Sequence, residues 1–307
     1  MHEPRVSAAQ GPSAWPQQRF LILTADDFGL HESVNEAIEQ ASRVGVLTAA
    51  SLMVAAPAAA DAVRRARELP DLHVGLHVVL ADGEPVLPPE AIPGLLGPDG
   101  RFGSRMFADG VRYFALPAVR RQLEKEVRAQ FEAFARTGLV LDHVNAHKHF
   151  HLHPTLLEII LRVGRDFGLT AMRLPREPLW FSGGRTVPTA AISAALLSPW
   201  LALMGQRLKR AGVAHNDQLF GVAATGAMNE ERLLQILARL PAGITEVYLH
   251  PATESGAAVN AAQSTYHHGD ELAALVSPRV RAAILAAGVP RGGYAGALKA
   301  RELWRAA

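Results

Sequence analysis

Between Arg19 and Ala25 the chain runs through Phe20, Leu21, Ile22 and Leu23 and then stops on two adjacent carboxylates, Asp26 and Asp27. A short apolar run rich in strand formers reads as a strand buried on both faces, the kind found in parallel sheets. Two carboxylates at the end of a buried strand are costly unless paired, hydrogen-bonded or metal-bound. One aspartate could cap the helix expected over Glu32–Arg43; two at the strand edge point to a site. The same pattern recurs. Strands are expected over Thr48–Val54, Leu72–Leu80, 139–145, Leu169–Leu174 and Ile244–His250, with a last one over Gly288–Leu298. Helices are expected between them, over Ala58–Leu69, Val119–Arg136, 155–166 and Asn229–Leu240, and after Pro278. This alternation defines an α/β protein, either a (β/α) barrel or an open doubly wound sheet. In both, ligands bind beyond the carboxyl ends of the strands.

Polar residues gather at those ends: Asp26, Asp27, His77, His147, Arg173 and His250. Period 2 places His73, Gly75 and His77 on one face, and Gly75 leaves room beside His77. The densest stretch runs from His143 to Pro154. Five of the thirteen histidines fall there, His143, His147, His149, His151 and His153, all at odd positions. An extended backbone would turn all five imidazoles, and Asn145, to one face. Neutral imidazole is the commonest protein metal ligand.

Several classes of function are excluded. The chain has no cysteine, which rules out disulfides, thiolate catalysis and cysteine-based zinc sites. Its 31 basic and 29 acidic residues leave no basic excess that would attract nucleic acid. No glycine-rich phosphate loop follows the first strand, which argues against a nucleotide enzyme. Residues 1–18 lack an apolar core and read as a flexible tail, not a secretory signal, leaving 19–307 as a single domain. The long 81–117 connection, rich in proline and glycine, reads as a loop. From Thr186 to Gln206 there is no charged residue. Pro199 argues against one straight helix there, and Arg207, Lys209 and Arg210 follow. That segment reads either as a buried helical hairpin or as an apolar flap that touches lipid or a lipid-like substrate.

The strand-end groups together make a metal-dependent amidase. One carboxylate and two imidazoles, Asp27, His77 and His147, would hold a divalent ion with coordination positions left open. Asp26 would serve as base, His250 as acid or oxyanion partner, and Arg173 would hold Asp26 ionised and oriented. His149, His151, Asn145, Trp200 and Glu177 are candidate substrate contacts, with His151 a reserve ligand should His147 prove wrong. Imidazole with carboxylate suits zinc, and two imidazoles make magnesium the less natural occupant.

The motifs Thr24–Leu30, Gly75–His77, the His143–His151 run and Leu249–Pro251 resemble those of the YdjC-like carbohydrate deacetylases, across roughly 19–298. That resemblance implies a distorted (β/α) barrel, with an apolar helical insertion near 178–216 in this chain. It implies the same three metal ligands with zinc or magnesium bound, Asp26 as base and His250 as a further active-site histidine. The family run usually carries aspartate two residues before its ligand histidine; here that residue is Asn145. In this the chain resembles the branch associated with hopanoid biosynthesis. The branch implies removal of acetate from an N-acetylglucosaminyl hopanoid, and a cytoplasmic protein with peripheral contact at the inner membrane through 186–210. Chitooligosaccharide deacetylation is the alternative substrate reading. A non-catalytic lipid- or sugar-binding protein is the alternative of another class, and the presence of both Asp26 and His250 argues against it. Oligomeric state is not legible from the sequence.

Overall fold

The computed structural model describes residues 18–181, 187–254 and 259–306, with the backbone alone at 107 and 187–196. The expected tail lies outside these residues except for Gln18. Six parallel strands form one curled sheet in the order β4-β3-β2-β1-β6-β5. They are β1 (Arg19–Phe28), β2 (Ala49–Leu52), β3 (His73–Val78), β4 (Val144–Ala146), β5 (Gln218–Phe220) and β6 (Gly243–Leu249). β1 is central, paired with β2 on one side and β6 on the other, and Leu21, Ile22 and Leu23 are fully buried. Its apolar run is what a strand with no solvent face requires.

Helices link the strands: α1 (Glu32–Arg43), α2 (Ala59–Arg67), α3 (Met106–Ala115), α4 (Pro117–Arg136), α5 (Pro154–Asp166), α6 (Val187–Arg210), α7 (Glu230–Ala238), α8 (His268–Val276), α9 (Pro278–Ala287) and α10 (Tyr294–Ala306). In α1, Val34, Ala37, Ile38 and Ala41 turn one stripe to the sheet, the i, i+3, i+4, i+7 spacing of a half-buried helix. Prolines open α4, α5 and α9 in the first turn, where a missing N–H costs nothing.

The sheet closes irregularly. Residues 170–176 span the gap between β4 and the approach to β5 through two isolated bridges, Val144 to Met172 and Ala171 to Ala214. Beyond them the Asn216 side chain replaces a ladder, accepting from Leu174 N at 2.7 Å and donating to Leu174 O at 2.8 Å. The strand expected over Leu169–Leu174 is thus reduced to bridges, and the result is a barrel-like but distorted α/β fold.

Other expectations need correcting. The 81–117 connection contains a whole helix, α3, which its flanking prolines and glycines disguised. The strand expected over 139–145 begins only at Val144, and Val140 is exposed. The chain stays helical through Pro199. In the half of α6 whose side chains are described, Leu201, Met204 and Leu208 are buried at helical spacing within the hydrophobic core. The expected last strand is one bridge, Leu21 to Arg291, followed by α10. A helix, α8, already stands before Pro278. The histidine run does not stay extended: β4 ends at Ala146 and residues His147–Leu152 form a tight turn. Lys148 and His149 sit there at φ of 54° and 55°, in the left-handed region.

Candidate active site

Regular alternation would send Asp26 and Asp27 to opposite faces of β1. An irregularity in the β1–β2 register between Ala25 and Phe28, with Asp27 at φ 62°, breaks that alternation. Both carboxylates are buried at the carboxyl end of the sheet. Asp27 Oδ1 lies 3.2 Å from His77 Nε2 on β3 and 3.0 Å from His147 Nδ1 just past β4. One donor atom from each of the three lies within 4.8 Å of the others, and among the described residues no other group of His, Asp or Glu is so placed. A carboxylate and two imidazoles converging in a buried corner fit a zinc-type divalent ion. The second Asp27 oxygen accepts from Gln263 Nε2 at 2.5 Å and lies 4.0 Å from His250 Nε2.

Asp26 belongs to a separate network. Arg173 grips it through two nitrogens, at 2.5 and 3.0 Å, and Asn145 Nδ2 donates to it at 3.1 Å. Burial alone would raise this carboxyl. The Arg173 guanidinium, with His77 beyond it, overrides burial and holds Asp26 well below the usual carboxylate range. Arg173 is itself fully buried, also bonds Glu246 at 2.8 Å, and lies over the Tyr248 ring at 4.7 Å. Glu246 accepts from Thr24 Oγ1 at 2.7 Å and from the Tyr294 hydroxyl at 2.6 Å. The structure therefore brings together Asp26, Asp27, His77, His147, Arg173 and His250.

His250, one residue past β6, is clasped by its backbone. Its N–H donates to Glu271, and His268 Nδ1 donates to its carbonyl at 2.6 Å. Both partners lie on α8, and Glu271 also accepts from Met228 N at 2.8 Å. Burial presses the His250 imidazole down to about 4 against the pull of Asp27, and its ring lies between Tyr266 and Tyr248.

The remaining candidates divide. Asn145 lies at the centre of the site, bonded to His77, Asp26 and Ser51. His149 is half-buried, with Nε2 3.1 Å from the Tyr248 hydroxyl. His151 is fully buried outside the ligand group, and burial and Arg173 push its imidazole down to about 3. Trp200 donates to Leu152 O at 2.8 Å, which ties α6 to the histidine turn. Glu177 accepts from the backbone amides of Gly221, Val222 and Ala223, so it orders that loop. Sequence reasoning missed Ser51, Tyr248, Gln263, His268 and Glu271. Period 2 on β6 would have found Tyr248, two residues before His250. The others act from a strand interior, a short 3-10 turn and a helix, and carry no such signal.

A parallel α/β sheet with a carboxylate–imidazole cluster beyond its strand ends defines a class of protein whose chemistry sits on that face. Within that class, the chain belongs to the YdjC-like protein family, whose profile matches residues 20–286. It is 30% identical over 281 residues to a chitooligosaccharide deacetylase of Klebsiella pneumoniae, covering 90% of this chain and 98% of that one. It is 29% identical over 272 residues to a carbohydrate deacetylase of Geobacillus stearothermophilus, covering 88% and 95%. The crystal structure of a proposed cellobiose-phosphate cleavage protein from Enterococcus faecalis shares the fold, with a TM-score of 0.69 at 24% identity over 91% of this chain and 98% of that one. Among the described residues no helix is long and apolar enough to cross a membrane.

Proposed function

We propose that the chain is a metal-dependent carbohydrate N-deacetylase, hydrolysing the acetamide of an N-acetylated amino sugar to acetate and a free amine. One observation carries the reading: a buried carboxylate held ionised by Arg173, Asp26, stands beside a second, Asp27, that converges with two imidazoles. A divalent ion held by Asp27, His77 and His147 would polarise the acetamide carbonyl and lower the pKa of water. Asp26 takes the proton from the attacking water as its oxygen bonds to the carbonyl carbon. The proton taken by Asp26 passes to the nitrogen as the C–N bond breaks, and His250, kept neutral by burial, donates a hydrogen bond to the oxyanion that forms. Arg173 keeps Asp26 charged and aimed through two hydrogen bonds.

The finer substrate reading is an amino-sugar lipid of the N-acetylglucosaminyl hopanoid type. Asn145 in the histidine run supports it, as does α6, whose uncharged stretch leaves Leu197 and Leu203 exposed ahead of Arg207, Lys209 and Arg210. The same stretch would give peripheral contact with a membrane surface. A soluble chitooligosaccharide is the second reading, favoured by the name of the Klebsiella relative. Mass spectrometry of products from diacetylchitobiose and from the hopanoid glycoside decides between them. Acetate release is expected from the glycoside and lost on chelation or in His147→Ala. Full activity after metal stripping sinks the metal role, and a strong preference for diacetylchitobiose sinks the lipid reading.

A further inference from the structure

Ser51, His143 and Asp142 stand in the order of a hydrolytic triad. Ser51 Oγ is 3.1 Å from His143 Nε2, and His143 Nδ1 is 3.0 Å from Asp142 Oδ2. Ser51 and His143 are fully buried, however, and the Ser51 oxygen already accepts from Asn145 Nδ2 at 2.9 Å. No substrate carbonyl can reach this hydroxyl, so the array is not a nucleophile. What it does follows from the direction of its protons.

An ionised carboxylate only accepts, which fixes both ends. Asn145 presents Nδ2 to Asp26, so its oxygen must face His77 Nδ1, 2.6 Å away, and that nitrogen must donate. The second Nδ2 hydrogen goes to Ser51, which leaves the Ser51 hydroxyl to donate to His143 Nε2. His143 then donates from Nδ1 to Asp142. Asp142 is anchored in turn by the amides of Tyr294 at 2.9 Å and Ala295 at 3.1 Å, in the first turn of α10. Every donor meets one acceptor, and only one arrangement of protons satisfies the chain.

The packing protects it. The His143 ring stacks on Tyr294 with centroids 5.1 Å apart. On its other side is Gly75, where an added Cβ would lie 2.5 Å from the ring. The room that Gly75 leaves is therefore occupied by His143, not by His77.

We propose that Asp142, His143, Ser51 and Asn145 are positioning residues that form one directed hydrogen-bond chain, keeping the proton of His77 on Nδ1 so that Nε2 is the nitrogen offered to a metal. The neutral Asn145 amide also ties that ligand to Asp26, so one side chain orients both the metal site and the base. The inference rests on the metal-site reading above.

Two measurements on the full chain test it. Nitrogen-15 NMR of the zinc-loaded wild type should show a slowly exchanging proton on His77 Nδ1. Zinc affinity, from competition with a chelator, should fall by roughly 10-fold in Ser51→Ala, the low end of the 10- to 100-fold usual for losing a direct partner of a ligand histidine, because Ser51 acts on His77 through Asn145. Thr48→Val removes another buried hydroxyl of the same β-strand region, one that bonds only Leu23, and should leave zinc affinity unchanged. Zinc on Nδ1 of His77, or wild-type affinity in Ser51→Ala, overturns the proposal while the metal site stands. A wild-type chain that takes up no divalent ion overturns the metal site and the proposal together.

Discussion

Asp26 and Asp27 are adjacent in sequence and share no bonding partner among those that hold them, which is why we propose different roles for them. Asp27 touches His77 and His147, whereas Asp26 touches Arg173 and Asn145. Asp26→Asn should therefore lower kcat by roughly 100- to 10,000-fold, the usual worth of a general base, with metal content near wild type. Asp27→Asn should lose the metal. Metal analysis beside steady-state kinetics checks both, and loss of metal in Asp26→Asn would reverse the assignment. At this scale the sequence was readable wherever a polar residue ends an apolar strand, because burying a charge without purpose is too costly to be accidental. Asp26, Asp27, His77, Arg173 and His250 all carry that signal. Ser51 and Gln263 do not: a buried serine inside a strand and a glutamine in a short 3-10 turn each have commoner explanations. Gly75 was noticed for its lack of a side chain, but which neighbour fills the space depends on β3 pairing with β4, and period alone does not give that.

At the scale of elements, strands supply the candidate reacting groups and helices hold them. α8 shows this best, since His268 and Glu271, one turn apart, clasp the carbonyl and N–H of His250. Glu271 is fully buried, and burial pushes its carboxyl up to about 7 from an ordinary 4.5, against its backbone hydrogen bonds and Arg232 and with some help from Asp26. The sign follows from that upward shift. Below about pH 4.5 both folded and unfolded chains carry the proton. Between there and about 7 the folded chain keeps a proton that the unfolded chain has released, so stability falls as pH rises. Glu271→Gln removes this dependence. Across that window wild type should lose stability relative to the variant by at most about 1.4 kcal/mol per pH unit, and denaturant melts at several pH values would show it. A parallel pH dependence in the two proteins would mean that Glu271 does not titrate there. Elements were legible where periodicity was long, as in α1 and α4. They were lost where a turn-rich stretch concealed α3, and where β4 and β5 are only three residues long. So short a strand is defined by its partners, not by its own composition.

For the molecule as a whole, the three ligand candidates lie far apart along the chain, on β1, on β3 and just past β4. β1 and β4 do not pair directly; β2 and β3 stand between them. An ion shared by Asp27, His77 and His147 would therefore cross-link half of the sheet at the end where β4 gives way to a turn with two left-handed residues. An ion that binds only the folded chain stabilises it by mass action, by about 2.7 kcal/mol at a free concentration 100 times Kd. In a chain of this size that corresponds to a rise in Tm on the order of 5 °C, growing with the logarithm of ion concentration. Calorimetry across a zinc series should show that rise in wild type and its absence in Asp27→Asn. Asp26→Asn separates the two carboxylates at this scale as well: it starts from a lower Tm, because Arg173 loses one of its two buried partners, yet should still respond to zinc. Equal zinc responses in wild type and Asp27→Asn would show that any stabilising ion binds elsewhere, and would remove the cross-link from the account of how this sheet holds its open end.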